Sequence, residues 1–191
     1  EAERNQALYR LAEAIDRNRE AILAANAKDL EAAEKMVAAG ELSEPLLKRL
    51  SLQGAKFETL FHMVQGVQRQ CDPLGVQQRS TELSEGLELY RISVPIGVLG
   101  VIFESRPDAL VQIASLCLKS GNAVLLKGGR EAALSNAVLA ELVKEATRGE
   151  GIPDGWLNLL ETREDVRSLL QQVDKVDLII PRGSNEFVHY I

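Results

Sequence analysis

The chain has 191 residues, of which 46% are hydrophobic and 26% charged, and its formal net charge is −6. This is the composition of an ordinary globular protein, and the acidic balance argues against a general nucleic-acid binder. The longest apolar stretch, around residues 94–103, is far shorter than the ~20 residues of a membrane helix.

The N-terminus and the cysteine count bear on location. The charged start, Glu1-Ala2-Glu3-Arg4, does not resemble a signal peptide. Two cysteines and two histidines give no disulfide framework and no zinc-ligand spacing. We therefore expect a cytoplasmic protein that holds no metal.

Residues 1–75 are predicted to form a helical N-terminal part. The first apolar stripe recurs at helical spacing, in Leu8, Leu11, Ala12 and Ile15. The stripe continues through Ile22, Leu23 and Leu30, and Gly40 is expected to end this helix. Ser43 and Pro45 fit the cap and first turn of the next helix. A third stripe consists of Phe57, Leu60, Phe61 and Val64.

Residues 76–94 are predicted to form a β-hairpin. Ser84-Glu85-Gly86 resembles its turn. In the second strand, apolar and polar residues alternate with the period of a half-buried strand, in the order Tyr90, Arg91, Ile92, Ser93 and Val94.

From residue 95 the pattern predicts alternating strands and helices. The predicted strands cover residues 97–103, 123–127, 156–160 and 176–180. One helix should open at Ser105 and Pro107, another at Glu131, and a third at a capping box in residues 162–165. A further helix is expected to open at residues 181–184. This alternation indicates a parallel α/β sheet with right-handed crossovers.

Four cations follow the predicted strands of this acidic chain, namely Arg106, Lys127, Arg130 and Arg182. Ligands of open α/β sheets bind beyond the carboxyl ends of the strands, so these residues predict an anion site. The alternative is that loops are exposed and commonly carry Lys and Arg. Gly183 and Ser184 suit a bound phosphate at a helix N-terminus, although Gly-Ser is also a common helix start. The dinucleotide and P-loop fingerprints are both missing.

Candidates for a nucleophile are poor. Cys117 lies on the apolar face of its predicted helix, as a packed core thiol would. Cys71 lies near a turn with no obvious base beside it. We find no Ser-His-Asp or Cys-His arrangement.

Three ordered motifs make the sequence recognisable. Residues 94–107, VPIGVLGVIFESRP, resemble the first cofactor-domain strand of the aldehyde dehydrogenase superfamily. Residues 103–109 (FESRPDA), 120–132 (SGNAVLLKGGREA) and 176–185 (VDLIIPRGSN) resemble its gamma-glutamyl phosphate reductase branch. The resemblance implies an aldehyde-dehydrogenase-like fold, with N-terminal helices in residues 1–75 and an oligomerisation hairpin in residues 76–94. It also implies a Rossmann-like, NADPH-binding sheet in residues 95–191.

The resemblance also implies an activity. Members of this branch use NADPH to reduce L-glutamate 5-phosphate to L-glutamate 5-semialdehyde, with release of phosphate, in the second step of proline biosynthesis. We expect a homo-oligomer that is functionally linked to glutamate 5-kinase, and a fused kinase domain stays an open alternative.

Site residues are carried over by motif. The resemblance assigns Lys127 to the adenosine ribose, Arg130 to the 2′-phosphate, and Gly183 and Ser184 to the pyrophosphate. Further cofactor contacts are expected from Phe103, Glu104, Ser105, Gly129 and Glu131. Arg106 falls where many aldehyde dehydrogenases have the asparagine of the oxyanion site, and a cation there suits a phosphorylated substrate.

The catalytic cysteine of the family is the main departure. It lies downstream of the Gly-Ser helix, and neither Cys71 nor Cys117 matches its position. The nucleophile and the catalytic domain are therefore expected beyond residue 191. The alternative function is a non-catalytic nucleotide-binding or oligomerisation module that lacks this thiol.

Overall fold

A computed structural model describes residues 1–183 and residue 188 of the chain. Four helices come first: α1 (Ala2–Arg17), α2 (Arg19–Ala38), α3 (Glu44–Leu50) and α4 (Ala55–Gln68). A hairpin follows, made of β1 (Gln77–Ser84) and β2 (Leu87–Ile92). Strands and helices then alternate: β3 (Val98–Phe103), α5 (Pro107–Lys119), β4 (Ala123–Lys127), α6 (Ala133–Thr147), β5 (Leu157–Leu159), α7 (Arg163–Leu170) and β6 (Leu178–Arg182). The predicted α/β fold is confirmed.

The second half forms a parallel sheet whose strand order is β5-β4-β3-β6. The chain runs from β3 outward through β4 to β5, then returns to place β6 on the other side of β3. The strand order therefore reverses between β3 and β6. Central β3 is buried almost throughout, as expected for a parallel strand covered on both faces.

The N-terminal helices pack on the helices of the sheet and share one hydrophobic core with them. Helix α1 contacts α4 and α6, and α4 contacts α5. Fully buried side chains from both halves meet in this core, among them Leu8, Leu11, Ile15, Phe57, Leu60, Leu110, Leu126 and Leu139. The apolar stripes predicted in residues 8–30 and 57–64 are confirmed as core residues, except that Leu23, Leu30 and Phe61 are only partly buried.

The first predicted helix is in fact two helices. Asn18 breaks it with a backbone conformation of φ −102° and ψ 21°, and its side-chain amide donates to the Ala14 carbonyl at 2.8 Å. Asparagine competes for backbone hydrogen bonds in this way and so favours helix ends. Because of the break, α2 turns its own face toward α6. That face buries Ile22, Asn26, Asp29 and Ala33.

The last strand lies two residues later than the predicted 176–180. Pro181 and Arg182 belong to β6, paired with Ile102 and Phe103, and do not open a helix. A proline lacks the backbone N–H that an inner strand would need, and β6 tolerates it because it lies at the end of the described sheet. The predicted helix start at Ser184 lies outside the described residues.

The hairpin forms as predicted, with Glu85 and Gly86 between its antiparallel strands and a φ of +75° at Gly86. The predicted half-burial is wrong, because nearly every residue of both strands is exposed. The two strands chiefly contact each other, so nothing in the described chain covers either face.

The starts of α7 and α3 lie where the sequence predicted them. The capping box is confirmed, since Thr162 and Asp165 exchange side-chain to backbone hydrogen bonds at the start of α7. Ser43 precedes α3 as predicted, but its side chain makes no capping bond. Among the helices that the structure describes, none has both the length and the apolar character needed to cross a membrane.

Candidate functional site

A groove of about 650 Å³ lies beyond the carboxyl ends of β3 and β6. Phe103 and Glu104 line it from β3, and Arg182 and Gly183 line it from β6. Helix α3 closes one wall with Leu46 and Arg49. The groove therefore lies where the strand order reverses, which is the usual place for a ligand in an open α/β sheet.

The groove is rich in arginine. Arg106 follows β3, Arg182 ends β6 and Arg49 comes from α3. The Arg106 guanidinium donates to the Asp108 carboxylate at 2.6 Å, and this hydrogen bond raises the pKa of Arg106 above its ordinary value. Arg106 therefore stays charged at any physiological pH. The sequence did not indicate Arg49, because only tertiary packing brings α3 to the sheet edge.

A second, smaller cleft adjoins the groove. It encloses about 270 Å³ between α3, α4 and the start of α5. Arg49 and Arg106 line both spaces, and Lys56 adds a third cation to the cleft. The Lys56 ammonium donates to the Lys48 carbonyl at 2.6 Å. The two spaces together form a continuous basic surface on an acidic chain.

The residues that follow β4 form a separate part of the site, on the other side of the β3 end. The Lys127 ammonium donates to the Gly128 carbonyl. A Cβ at Gly128 would overlap the Asn136 side chain of α6, which explains the glycine. The Arg130 side chain is 75% exposed and lies 3.5 Å from the Glu41 carboxylate, a partner that the sequence did not predict.

Ser105 and Glu131 connect these two parts. Glu131 lies in the 3₁₀ turn Arg130–Ala132 that follows β4, and Ser105 lies in the loop after β3. The backbone N–H and the hydroxyl of Ser105 donate to the same Glu131 oxygen, at 2.6 and 2.7 Å. The structure therefore turns both predicted cofactor contacts toward each other.

Helix α6 starts directly after this turn, and a buried carboxylate of α2 caps it. The backbone N–H groups of Leu134 and Ser135 donate to Asp29 at 3.2 and 2.7 Å. The neighbouring Asn26 amide donates to Leu50 O and Ser135 Oγ. The apolar stripe of residues 1–40 did not by itself indicate these two buried polar residues. The spacing of Asn26 and Asp29 between the apolar Ile22 and Ala33 was the signal that could have found them.

Neither cysteine lines the groove. Cys117 is buried in α5, and burial raises the pKa of its thiol to about 11. It is therefore protonated at neutral pH and is a core residue, as predicted. Cys71 is exposed just after α4. Within residues 1–183 and 188, no group of three His, Cys, Asp or Glu side chains is placed to hold a metal ion.

The predicted site residues thus fall into two groups. One group lines the groove and consists of Phe103, Glu104, Arg106, Arg182 and Gly183. The other lies at the end of β4 and just after it, and consists of Lys127, Gly129, Arg130 and Glu131. Ser105 joins the groups through Glu131, and Ser184 lies outside the described residues.

Comparisons with known proteins give one consistent result. The model of the aldehyde dehydrogenase family matches residues 1–191. The chain is 56% identical to a gamma-glutamyl phosphate reductase of Natronomonas pharaonis, over 98% of this chain and 42% of that protein. It is 52% identical to the enzyme of that name from Acetivibrio thermocellus, over 98% of this chain and 43% of that protein. The resemblance drawn from the motifs is confirmed.

Solved structures agree. The crystal structure of gamma-glutamyl phosphate reductase from Saccharomyces cerevisiae superimposes with a TM-score of 0.91 at 40% identity, covering 98% of this chain and 47% of that chain. The structure from Thermotoga maritima superimposes with a TM-score of 0.89 at 34% identity, covering 99% and 45%. The chain spans less than half the length of these relatives.

Proposed function

The chain belongs to the aldehyde dehydrogenase family, and we propose that it supplies the coenzyme-binding part of a gamma-glutamyl phosphate reductase. The reaction is the NADPH-dependent reduction of L-glutamate 5-phosphate to L-glutamate 5-semialdehyde, with release of phosphate, in proline biosynthesis. The arginine-lined groove at the reversal of strand order carries the proposal. Both the coenzyme and this substrate are phosphorylated, and arginine suits phosphate through charge-assisted hydrogen bonds.

The setting of the reaction is part of the same proposal. The acyl phosphate must be made by a kinase, so we place the protein in functional connection with glutamate 5-kinase. Both described cysteines are free thiols, which supports a reducing, cytoplasmic location.

The residues present fit a phosphorylated dinucleotide. Gly183 is exposed next to Arg182, so its backbone is open to a pyrophosphate. Lys127 ends the neighbouring strand β4, where the family resemblance implies the ribose contact. When bound, the nicotinamide supplies the hydride. Gly183 and Arg182 would hold the phosphates of the dinucleotide, in the groove that Phe103 and Glu104 also line.

We assign Arg106 to the substrate. Its guanidinium is held by Asp108 in the first turn of α5, and Arg106 lines both spaces of the basic surface. A fixed positive charge there stabilises the negative charge that develops on an acyl phosphate during displacement. The thiolate that attacks must come from another residue, since Cys117 is buried and protonated and Cys71 does not line the groove.

The activity is tested on the full-length protein that contains this chain. We expect NADPH oxidation that depends on L-glutamate 5-phosphate and, in reverse, NADP⁺ reduction that depends on added phosphate. Arg106→Ala should lower kcat/KM by about 10²–10³-fold, the usual cost of losing one such donor. The control, Arg17→Ala, removes an exposed arginine of α1 and should leave it unchanged.

Two results would contradict this assignment. Unchanged efficiency in Arg106→Ala would remove its role. NADPH binding without phosphate-dependent turnover would favour the nucleotide-binding module instead.

We further propose that Arg130 selects NADPH over NADH by binding the 2′-phosphate. To do so it must leave Glu41, with which it forms an exposed ion pair at 3.5 Å. Arg130→Ala should weaken NADPH binding about tenfold, because a charge-assisted hydrogen bond is lost, and leave NADH binding unchanged. Glu41→Gln should act in the opposite direction and strengthen NADPH binding by up to about fivefold, since such ion pairs contribute roughly 0.2–1 kcal/mol. Equal effects of either change on both coenzymes would refute the assignment.

We also propose that the hairpin is an oligomerisation segment. Leu87 and Leu89 lie on one face and Tyr90 and Ile92 on the other, and all four are exposed. An isolated two-stranded hairpin is marginal in water, so a second copy of the chain is the expected cover. Sedimentation of Leu89→Arg should show a smaller species, whereas Val173→Arg, at a still more exposed valine after α7, should not. Identical sedimentation of the two variants would exclude the hairpin as an interface.

A further inference from the structure

The loop after β3 contains a strained residue. Ser105 has a φ of +43°, and no other residue besides glycine in the described chain has a positive φ. A side chain destabilises this left-handed conformation, so it persists only where the surroundings hold it. Ser105 is also almost fully buried, between Glu104 and Arg106, which both line the groove.

The Glu131 carboxylate is the group that holds it. One carboxylate oxygen accepts hydrogen bonds from both the backbone N–H and the hydroxyl of Ser105, at 2.6 and 2.7 Å. Hydrogen bonds to a charged acceptor are about twice as strong as neutral ones. The bond to the backbone N–H acts directly on the strained residue, so it opposes return of the chain to a relaxed conformation.

Gly129 leaves room for this arrangement. A Cβ at position 129 would overlap the Glu131 carboxylate. The sequence Lys127-Gly128-Gly129-Arg130-Glu131 therefore allows the turn after β4 to direct a carboxylate across to the neighbouring loop. This geometry differs from that of a side chain directed outward at a ligand.

We propose that Glu131 is a positioning residue, which sets the course of the loop after β3 and thereby the placement of Glu104 and Arg106 in the groove. It acts through Ser105 and does not contact the coenzyme. The inference rests on the proposed function only for its binding readout, since the contact itself is measurable without a ligand.

The first test measures the contact directly. Amide hydrogen exchange at Ser105, followed by NMR on the ¹⁵N-labelled chain, should accelerate at least tenfold in Glu131→Ala. Glu145→Ala removes an exposed carboxylate from α6 and should leave the exchange rate unchanged. An unchanged rate at Ser105 in Glu131→Ala would overturn the proposal.

The second test separates positioning from direct contact by a rescue. Glu131→Ala should raise the Kd for NADPH about tenfold in the full-length protein, measured by fluorescence titration. Glycine adopts a positive φ without strain, so adding Ser105→Gly to Glu131→Ala should recover most of the affinity. Glu131→Gln keeps one acceptor oxygen and should fall between the wild type and Glu131→Ala.

The outcomes are distinct. Failure of Ser105→Gly to recover the affinity would overturn the proposal, because a lost ligand contact cannot be restored by a relaxed loop. Absence of NADPH binding in the wild type would refute the proposed function, while the exchange measurement would still decide the role of Glu131.

Discussion

Asp29 is predicted to be the most important single carboxylate for the stability of the chain. It is 4% exposed and caps α6 through two backbone N–H groups, those of Leu134 at 3.2 Å and Ser135 at 2.7 Å. Hydrogen bonds to a charged group each contribute about 1.5–3 kcal/mol, and we expect the longer bond, from Leu134, to contribute near the lower end of this range. Asp29→Ala leaves the buried Ser135 N–H without an acceptor, so we expect a loss of about 2–4 kcal/mol.

The assay is urea unfolding followed by fluorescence of Trp156, the single tryptophan of the chain. This indole packs near the far end of α6, where its N–H donates to Thr147 Oγ1 at 3.0 Å. Asp29→Asn keeps one acceptor and should lose only about 1 kcal/mol. Glu34→Ala, an exposed change on α2, should stay within about 0.5 kcal/mol of the wild type. If Asp29→Ala lost no more than Glu34→Ala, the capping argument would be refuted.

Three further predictions concern other parts of the chain. Iodoacetamide at pH 8 should label Cys71 in the folded chain and Cys117 only after urea is added, because burial raises the pKa of Cys117 to about 11. Intact mass measures the number of labels, and two labels on the folded chain would contradict this prediction. The backbone N–H of Leu74 lowers the pKa of Asp72, so this carboxylate stabilises the fold above its unfolded pKa of about 3.9, and the contribution is lost as the pH falls through the lower folded pKa. Asp72→Asn should therefore cost about 1–2 kcal/mol at pH 7 and progressively less as the pH falls below about 3.9, by urea unfolding over a series of pH values. Gly97→Ala should destabilise the chain by about 2 kcal/mol, because Gly97 has a φ of +129° and a Cβ there would displace the Asp177 carboxylate, which accepts a hydrogen bond from the Val98 N–H of β3. An unchanged melting temperature would contradict this prediction.

Local periodicity was sufficient to predict most elements of the fold. The apolar runs of β3 and β4 are bounded by glycines and helix starts, so their position along the chain follows from short-range pattern alone. The break at Asn18 was not predicted because the apolar stripe continues across it. The exposed hairpin was misjudged for a related reason. Alternation shows that a face can be buried, but what covers it depends on tertiary or quaternary contacts.

The same distinction between local pattern and tertiary packing applies to the residues of the candidate site. Arg106, Lys127 and Arg182 were found because they lie at or just after the carboxyl ends of strands of one parallel sheet, and these ends share an edge. Arg49 and Glu41 were missed because α3 and the segment before it reach that edge only through packing. The hydrogen bonds between Glu131 and Ser105 could not be predicted. The sequence places this carboxylate next to the site but does not show that its side chain turns toward the loop after β3.

The carboxylates around the cations give the acidic net charge a function. Asp108 holds Arg106 and Glu41 lies against Arg130, so these cations are partly neutralised before any ligand arrives. A loosely bound polyanion gains little from charges that are already paired. A phosphate group that fits between the strand ends can replace a carboxylate and gain geometrically matched hydrogen bonds. Under the proposed function, we expect pairing of this kind to lower attraction to anions in general and to retain affinity for a ligand whose phosphates match the arginines.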